Sequence, residues 1–306
     1  MTLNDFKKIF QKELFGFYQK KEIDSFFYLL TENFLNLKRI DIALDPDKEI
    51  SKKIEEIYIS AIAKLKKEIP IQYIIGETEF YGLKFMVDEN VLIPRPETEE
   101  MVEWIITEVR RKKKEERDIS RKSKVESPDS KLKTQNSKLK ILDIGTGSGC
   151  IAISLARNIP NAEVNAIDIS KKALNIAKDN AKLNQVNINY IEKDILKTPD
   201  LYTKFDIIVS NPPYVRKFEK KQMQGNVLKH EPHLALFVED DDPLHFYNKI
   251  ADLALKNLNT GGKLFFEINQ EFGEETIELL KEKGFKDIEL RKDIFGVDRM
   301  IMGVLV

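Results

Sequence analysis

The spacing of apolar residues predicts that the chain begins with a small helical bundle. Before Gly76, apolar side chains return every three or four positions in two series, which is the period of an amphipathic helix. The two series are Phe6, Ile9, Phe10 and Phe17, and Ile50, Ile54, Ile57, Ala61 and Leu65. Asp45 followed by Pro46 is typical of an N-cap with proline at the first helical position, so the second helix is predicted to start there. We expect residues 1–75 to form the bundle, with the aromatic side chains in its core.

The pattern changes between Gly76 and Pro96. Residues 80–87 are rich in strand-forming residues, with a glycine and acidic residues at the predicted turns, which favours a β-hairpin connector over 76–96. A helix is predicted to begin at Pro96, because its first turn is acidic and Arg110 and Arg111 follow late, as the helix dipole favours. One face of this helix is apolar and carries Val102, Ile105, Ile106 and Val109.

Beyond residue 139 the predicted strands and helices alternate. The strands are 140–145, 163–168, 188–193, 205–210, 263–268, 286–292 and 300–305, and the helices include 150–157, 171–183 and 243–258. This alternation indicates an α/β fold with a seven-stranded, mostly parallel, Rossmann-like sheet over 97–306. No helical pattern separates the last two strands, so we expect them to pair as an antiparallel hairpin. Ligands of such sheets bind at the carboxyl ends of the strands.

A basic segment at about 112–138 interrupts this order. It has almost no apolar residues and repeats Ser-Lys-Leu-Lys at 130–133 and 137–140. Between Arg110 and Lys140 there are thirteen Lys or Arg against five Asp or Glu, a local charge of +8, whereas the whole chain carries −1. We interpret the segment as a disordered insertion. The alternative is a basic arm for weak contact with RNA or the ribosome.

Length and composition predict a soluble, cytoplasmic protein of two domains. The chain has 306 residues, of which 42% are hydrophobic and 33% charged, enough for a sizeable core. No apolar run approaches the roughly 20 residues that cross a bilayer, and residues 1–17 lack the apolar stretch of a secretory signal. The single cysteine, Cys150, and three scattered histidines argue against an internal disulfide and against a His/Cys metal site. We expect no membrane contact and no metal.

A glycine-rich turn follows the first strand of the predicted sheet. Glycine lets the backbone turn tightly and lets a ligand lie against it without a Cβ clash. By itself the motif also fits a turn that binds nothing, and dehydrogenases use a similar loop with different glycine spacing. We predict that the loop binds a cofactor through Gly145, Thr146, Gly147, Ser148 and Gly149.

Two further strand ends carry acids that suit a nucleoside. Asp168 ends the second strand, where a carboxylate can accept hydrogen bonds from ribose hydroxyls. Asp194 is placed at the end of the third strand, where it could receive an adenine amino group, with Ile195 beside the ring. Each acid alone could be an ordinary helix cap. Three successive strand ends with ligand-compatible groups predict a nucleoside-cofactor site.

Asn211-Pro212-Pro213-Tyr214 directly after the fourth strand indicates the chemistry. A planar –NH2 group is a poor nucleophile, but two oxygen acceptors, the Asn211 side chain and the Pro212 carbonyl, can hold both N–H groups and aim the nitrogen at an electrophilic methyl. The prolines stiffen the loop, and Tyr214 offers a face for a flat amide or base. The alternative is a proline-rich turn with a capping Asn. The motif favours N-methylation without choosing between glutamine and nucleobase substrates.

Over nearly its whole length the sequence resembles the release factor glutamine N5-methyltransferases, the PrmC/HemK family. The resemblance rests on Asp143–Gly149, on Asn211–Tyr214 and on a segment that generic base methyltransferases lack. That segment contains Pro70-Ile71-Gln72-Tyr73-Ile74-Ile75-Gly76, Glu79-Phe80-Tyr81-Gly82 and Leu92-Ile93-Pro94-Arg95-Pro96-Glu97-Thr98-Glu99.

The resemblance implies a class I methyltransferase that uses S-adenosylmethionine, yields S-adenosylhomocysteine and methylates the glutamine of a Gly-Gly-Gln loop in a peptide chain release factor. It implies that the helical domain helps to grip that partner and that Phe80 lies near the methyl donor and the target amide. The expected catalytic residues are Asn211, Pro212 and Tyr214; Pro213 and Phe80 join them in binding substrate. Asn211 also borders the cofactor.

The sequence departs from the family pattern at two places, and it is compatible with two other functions. The insertion at 112–138 is longer than the usual linker, and the acidic loop 237–243 replaces a more usual glycine-rich stretch. A DNA or RNA amino methyltransferase would use the same Asn-Pro-Pro-Tyr loop, although the near-neutral net charge disfavours it. A binding protein on an inherited fold is disfavoured by the intact Asp168, Asp194 and Asn211.

Overall fold

The computed structural model describes residues 1–123, 138–223 and 225–306. The chain divides into two compact units, Met1–Glu77 with Met223–Glu231, and Thr78–Gln222 with Pro232–Val306. The helices are α1 Leu3–Leu14, α2 Lys20–Leu35, α3 Arg39–Leu44, α4 Lys52–Leu65, α5 Ile71–Ile75, α6 Pro96–Ser123, α7 Cys150–Asn158, α8 Lys171–Leu183, α9 Gly225–His230, α10 His245–Asn257 and α11 Gly273–Glu282. The strands are β1 Glu77–Phe80, β2 Leu83–Met86, β3 Leu139–Ile144, β4 Ala162–Asp168, β5 Asn189–Glu192, β6 Phe205–Ser210, β7 Val215–Arg216, β8 Phe237–Val238, β9 Leu258–Glu267, β10 Lys286–Lys292 and β11 Asp298–Val304.

The first unit is helical and has an aromatic core. Phe6 and Phe10 of α1, Phe27 of α2 and Tyr58 of α4 are almost completely buried. The ring centroids of Phe6 and Tyr58 lie 5.0 Å apart in an edge-to-face arrangement, a geometry that contributes about 0.5–1.5 kcal/mol beyond area burial. The helical N-terminal region expected from the sequence is therefore present.

Two details of that expectation were wrong. Helix α1 ends at Leu14 and Gly16 adopts a left-handed φ of 92°, so Phe17 lies beyond the helix and is 56% exposed. Ile9 is also exposed, so the core of the first series consists of Phe6 and Phe10. The helix predicted at Asp45 begins at Lys52 instead, because the Ser51 hydroxyl caps it by accepting a hydrogen bond from the Ile54 amide at 3.4 Å.

The second unit is built on one seven-stranded sheet. Its order is β10-β11-β9-β6-β3-β4-β5. Neighbouring strands are parallel from β9 to β5, whereas β11 is antiparallel to both β9 and β10. This confirms the predicted α/β class and the antiparallel final pair. Helix α11 between β9 and β10 was not predicted.

Both faces of the sheet are covered by apolar side chains. Successive residues of the central strand β3 point to opposite sides: Ile141 packs in a cluster with residues of α6 and α7, and Leu142 packs in a cluster with residues of α10 and α11. A sheet buried on both faces needs strands without alternating polar positions, and this accounts for the short apolar runs Ile141–Leu142 of β3 and Ile207–Val209 of β6.

Helix α6 is longer than the sequence pattern suggested. It begins at Pro96 as predicted, and the side chains predicted for its apolar face are buried. It then continues to Ser123, so the first part of the proposed disordered insertion, 112–123, is helical. Lys, Arg and Glu are strong helix formers and extend a helix that is already nucleated without an apolar face. The remainder of the insertion, 124–137, lies outside the described residues.

The hairpin β1–β2 is tied to the glycine-rich turn through one buried amide. Its two-residue turn places Tyr81 and Gly82 at φ values of 50° and 70°. The Asn180 side chain of α8 accepts from the Met86 amide at 2.6 Å and donates to the carbonyls of Met86 and Ser148 at 3.0 and 2.9 Å. Asn180 therefore fixes the end of the hairpin relative to the turn after β3.

In the described part of the chain, none of the helices combines the length and the apolar character that a bilayer crossing requires. The same residues contain no grouping of three or more His, Cys, Asp or Glu side chains suited to a metal ion.

Candidate functional site

A cavity of about 370 Å³ opens at the carboxyl ends of the parallel strands. The last residues of β3, β4 and β6 line it, and its volume lies within the range of small-molecule sites. Eight of the residues predicted from the sequence meet there: Gly145, Gly147, Asp168, Asp194, Ile195, Asn211, Pro212 and Pro213. Five others do not contribute to the lining: Thr146, Ser148, Gly149, Tyr214 and Phe80.

The glycine-rich turn is shaped by left-handed backbone at every second residue. Gly145, Gly147 and Gly149 have φ values of 76°, 55° and 83°. The amides of Gly145 and Thr146 both donate to the Ile167 carbonyl, at 2.8 and 3.0 Å. A Cβ at Gly145 or Gly147 would have no protein atom within 4 Å. Because both glycines line the cavity, a ligand can approach their backbone closely.

Gly149 has a packing role instead. A Cβ there would lie 2.9 Å from the Ile153 Cδ1 and 3.1 Å from the Ala177 Cβ. The residue therefore lets α7 start against α8.

We expect Gly149→Ala to lower the free energy of unfolding by about 2–4 kcal/mol, because left-handed strain and overpacking act together. Gly284→Ala is the matched control: Gly284 has φ 90° with open space around the missing Cβ, so it should lose only the backbone contribution, about 1–2 kcal/mol. Urea unfolding of both variants measures the difference. Equal losses would show that Gly149 is not crowded.

Asp168 connects the glycine-rich turn to the next strand. Its Oδ2 accepts from the Gly147 amide at 2.9 Å and its Oδ1 from the Ser170 amide at 2.8 Å. Burial raises the pKa of this carboxyl, and the backbone donors oppose that shift. Each carboxylate oxygen keeps a second lone pair. The side chain can therefore hold the turn and accept hydrogen bonds from a ligand diol at the same time.

Asp194 does not directly follow the third strand of the sheet as predicted, because β5 ends at Glu192, two positions before it. Its Oδ1 accepts from the Leu196 amide at 3.0 Å, and its Oδ2 lies 3.1 Å from the Lys197 Nζ. Desolvation acts to raise its pKa, but the hydrogen bonds from Lys197 and Leu196 bring it below its ordinary value. Asp194 thus stabilises a turn, while Asp194 and the nearly buried Ile195 both line the cavity.

The loop after β6 is held at both ends. Asn211 Nδ2 donates to the Thr98 Oγ1 at 3.4 Å. The Tyr214 hydroxyl donates to the Glu267 Oε1 at 3.1 Å, and the Tyr214 carbonyl accepts from the Asn269 side chain at 3.1 Å. Burial strongly raises the pKa of the Tyr214 hydroxyl, with the Glu267 charge adding to the effect. Tyr214 therefore fixes the loop from behind, and its hydroxyl is engaged away from the cavity lining.

Glu267 is a site residue that the sequence reasoning missed. It ends β9 and is 1% exposed, and its Oε2 accepts from the Thr98 hydroxyl at 2.6 Å. Burial raises its pKa, whereas the Thr98 hydrogen bond and the nearby Arg299 lower it. An acid directly after the apolar run Leu264–Phe266 was the available signal. Thr98 stood within the Pro96-Glu97-Thr98-Glu99 motif but had been given no role.

Asp143, at the base of the glycine-rich turn, belonged to the motif Asp143–Gly149 but had been given no role. It is fully buried, and burial raises its pKa to about 7 although the Thr146 hydroxyl donates to it at 2.6 Å. Thr146 therefore points into the protein and supports the turn from below, which accounts for its absence from the cavity lining.

Phe80 lies outside the cavity lining. It is 1% exposed and packs edge to face against Phe85, with centroids 6.0 Å apart. The pair belongs to the apolar cluster beneath α6 and α7. Phe80 therefore supports the hairpin.

Comparison with known proteins identifies relatives of nearly full length. Family models described as PrmC N-terminal domain and Methyltransferase small domain match residues 19–76 and 130–234. A protein from Flavobacterium psychrophilum named release factor glutamine methyltransferase is 53% identical, covering 98% of both chains. One of the same name from Bacteroides thetaiotaomicron is 40% identical, covering 98% of this chain and 99% of its own. Among solved structures, the hMettl16 catalytic domain matches with a TM-score of 0.52 at 14% identity over 84% of this chain and 83% of its own, which supports the fold alone.

Proposed function

The chain belongs to the release factor glutamine methyltransferases, and from that premise we propose the reaction that its site performs. A methyl group passes from S-adenosylmethionine to the side-chain amide nitrogen (N5) of the glutamine in the Gly-Gly-Gln loop of a peptide chain release factor. The observation that carries the proposal is the position of Asn211 and Pro212 on the wall of the cavity that Gly145, Gly147 and Asp168 also line.

The residues of the cavity fit the proposed cofactor. Gly145 and Gly147 leave open the space that a Cβ would fill, and Asp168 has lone pairs for the ribose hydroxyls. Apolar side chains, among them Ile169, Ile195 and Phe246, form much of the remaining wall and suit an adenine ring. When bound, S-adenosylmethionine supplies an electrophilic sulfonium methyl, so the protein needs no metal and no general base for the transfer.

The contribution of the protein is the placement of the amide. The Asn211 side-chain oxygen and the Pro212 carbonyl each accept one N–H of the glutamine –NH2 group, which orients the nitrogen lone pair toward the methyl donor. Neither Pro212 nor Pro213 has a backbone N–H, and Tyr214 and Asn269 brace the loop. The acceptors are therefore preorganised, and the proton lost on methylation leaves to solvent.

The division of labour along the chain is part of the proposal. Residues 1–75 form the domain that recognises the release factor, 76–96 form the connecting hairpin, and 97–306 form the methyltransferase domain. Within the methyltransferase domain, Gly145, Gly147, Asp168, Asp194 and Ile195 contact the cofactor and Asn211 borders it, while Thr146, Ser148 and Gly149 shape the turn. The substrate residues are Asn211, Pro212, Pro213, Tyr214 and Phe80, with Tyr214 and Phe80 acting as supports.

Methyl transfer from labelled S-adenosylmethionine tests this function. We expect the full-length protein to add one methyl to a release factor, located by mass spectrometry on the Gly-Gly-Gln glutamine. A release factor with that glutamine replaced by glutamate should gain no label, because a carboxylate offers no N–H to the two acceptors. DNA and RNA are included in parallel. Label in nucleic acid, or equal label in the glutamate form, would refute the assignment.

A further inference from the structure

Three side chains form a continuous hydrogen-bonded relay behind the cavity. The Thr98 hydroxyl donates to the Glu267 Oε2 at 2.6 Å, and Asn211 Nδ2 donates to the Thr98 Oγ1 at 3.4 Å. Thr98 is 2% exposed and Glu267 1% exposed, so water does not compete for either group. Only Asn211 of the three reaches the cavity wall.

The relay has a defined direction. A threonine hydroxyl has one proton and two lone pairs. An ionised Glu267 can only accept, so the Thr98 proton is used toward Glu267 and only lone pairs face Asn211. The carboxamide of Asn211 must then turn its –NH2 toward Thr98. Its oxygen is left on the opposite side, available to the cavity.

We propose that Thr98 and Glu267 are positioning residues that set the orientation of the Asn211 carboxamide, so that its oxygen rather than its nitrogen meets the substrate amide. The inference rests on the proposed function, in which that oxygen accepts a substrate N–H. With the carboxamide reversed, Asn211 would direct N–H groups at the N–H groups of the substrate, and the arrangement would repel the glutamine.

The surroundings of Glu267 bear on its charge. Arg299 of β11 is the nearby cation and favours the ionised form. The Tyr214 hydroxyl donates to Oε1, and the Tyr247 hydroxyl of α10 donates to the main-chain carbonyl of Glu267 at 3.2 Å. Glu97 of α6 opposes ionisation, and Arg95 lies near the Tyr214 hydroxyl. Arg299 is itself held by Asp293 at 3.0 Å.

The charge of Glu267 makes the relay sensitive to acid. A protonated Glu267 could donate to Thr98, which would then donate to the Asn211 oxygen and reverse the relay. Because burial raises the pKa of Glu267, kcat should fall with decreasing pH at a higher pH than an exposed glutamate would cause.

Thr98→Val against Thr98→Ser tests the proposal, because valine keeps the shape of threonine and loses the hydroxyl, whereas serine keeps the hydroxyl. We expect Thr98→Val to lower kcat by about 10–100-fold, the size of effect seen in metalloenzymes when the partner that orients a ligating side chain is removed. The cofactor Kd should stay within about twofold, and Thr98→Ser should retain most of the wild-type kcat and its acid limb. Wild-type kcat in the valine variant, or an equal loss in both variants, would overturn the proposal.

A second measurement does not depend on any substrate. In ¹⁵N-labelled protein, the side-chain –NH2 signals of Asn211 can be assigned because they are lost in Asn211→Asp. We expect these signals to shift in Thr98→Val and to stay in place in Thr98→Ser. In the wild type they should move as the pH is lowered. An acid titration without movement of these signals contradicts the relay even if the valine variant does not fold. If the wild-type protein did not methylate the release factor, the proposed function would be refuted. The Asn211 –NH2 signals would still test the hydrogen bonds that join Asn211, Thr98 and Glu267.

Discussion

Asn211→Ala is expected to lower kcat for release factor methylation by about 10³-fold or more, while the cofactor Kd stays within about threefold of wild type. Preorganised groups that act on the reacting centre contribute about 10²–10³-fold each, and this substitution also removes the partner that Thr98 orients. Cofactor binding should survive because the glycine-rich turn and Asp168 are held by their own hydrogen bonds. Single-turnover rates and calorimetric titration of the cofactor measure the two quantities separately.

Asn259→Ala provides the matched control for this prediction. Asn259 is exposed at the start of β9 and donates to Asp206, at the opposite end of the sheet from the cavity. We expect its kcat and cofactor Kd to equal those of the wild type. Methylation by Asn211→Ala at the wild-type rate would exclude Asn211 as the acceptor of the substrate amide.

Asp168→Ala is expected to weaken cofactor binding by about 100-fold or more. The side chain accepts from the Gly147 and Ser170 amides, and hydrogen bonds to a charged group contribute about 1.5–3 kcal/mol each. The substitution therefore releases the turn that shapes the cavity and also removes the acceptors for a ribose diol. Equilibrium titration with S-adenosylhomocysteine measures the loss without requiring turnover.

Asp179→Ala is the control for Asp168→Ala, since Asp179 is an exposed acid on α8 that pairs with Lys182. It should bind the cofactor as the wild type does. If Asp168→Ala bound S-adenosylhomocysteine with an unchanged Kd, the cavity would not be the cofactor site.

The sequence predicted those parts of the structure that depend on local periodicity. Helix α8 and the strands β6 and β10 were predicted with the bounds that the structure shows. An amphipathic helix repeats at 3.6 residues, a strand buried in the sheet such as β6 is mostly apolar, and β10 alternates apolar Ile288 and Leu290 with polar residues. The cavity could be anticipated because the strands are parallel, so the residues that follow them gather at one edge of the sheet. Family resemblance added the reaction and the partner.

Contacts between distant segments could not be read in the same way. Thr98 and Glu267 are separated by 169 positions, and no periodicity relates them. The direction of a side chain is equally hidden: the motif identified Tyr214 and Phe80, but packing turned the Tyr214 hydroxyl toward Glu267 and buried Phe80 against Phe85. The low apolar content of 112–123 suggested disorder, but the high helix propensity of its Lys, Arg and Glu residues extends α6 to Ser123, over the first part of the predicted insertion.

The central claim is that the Asn211 oxygen and the Pro212 carbonyl hold a glutamine amide against the methyl donor. A crystal structure of the protein with S-adenosylhomocysteine and a Gly-Gly-Gln peptide tests it most directly. We predict the glutamine nitrogen within about 3.2 Å of both oxygens, facing the sulfur of the product. A loop turned away from the sulfur, with the peptide amide bound by other groups, would contradict the account.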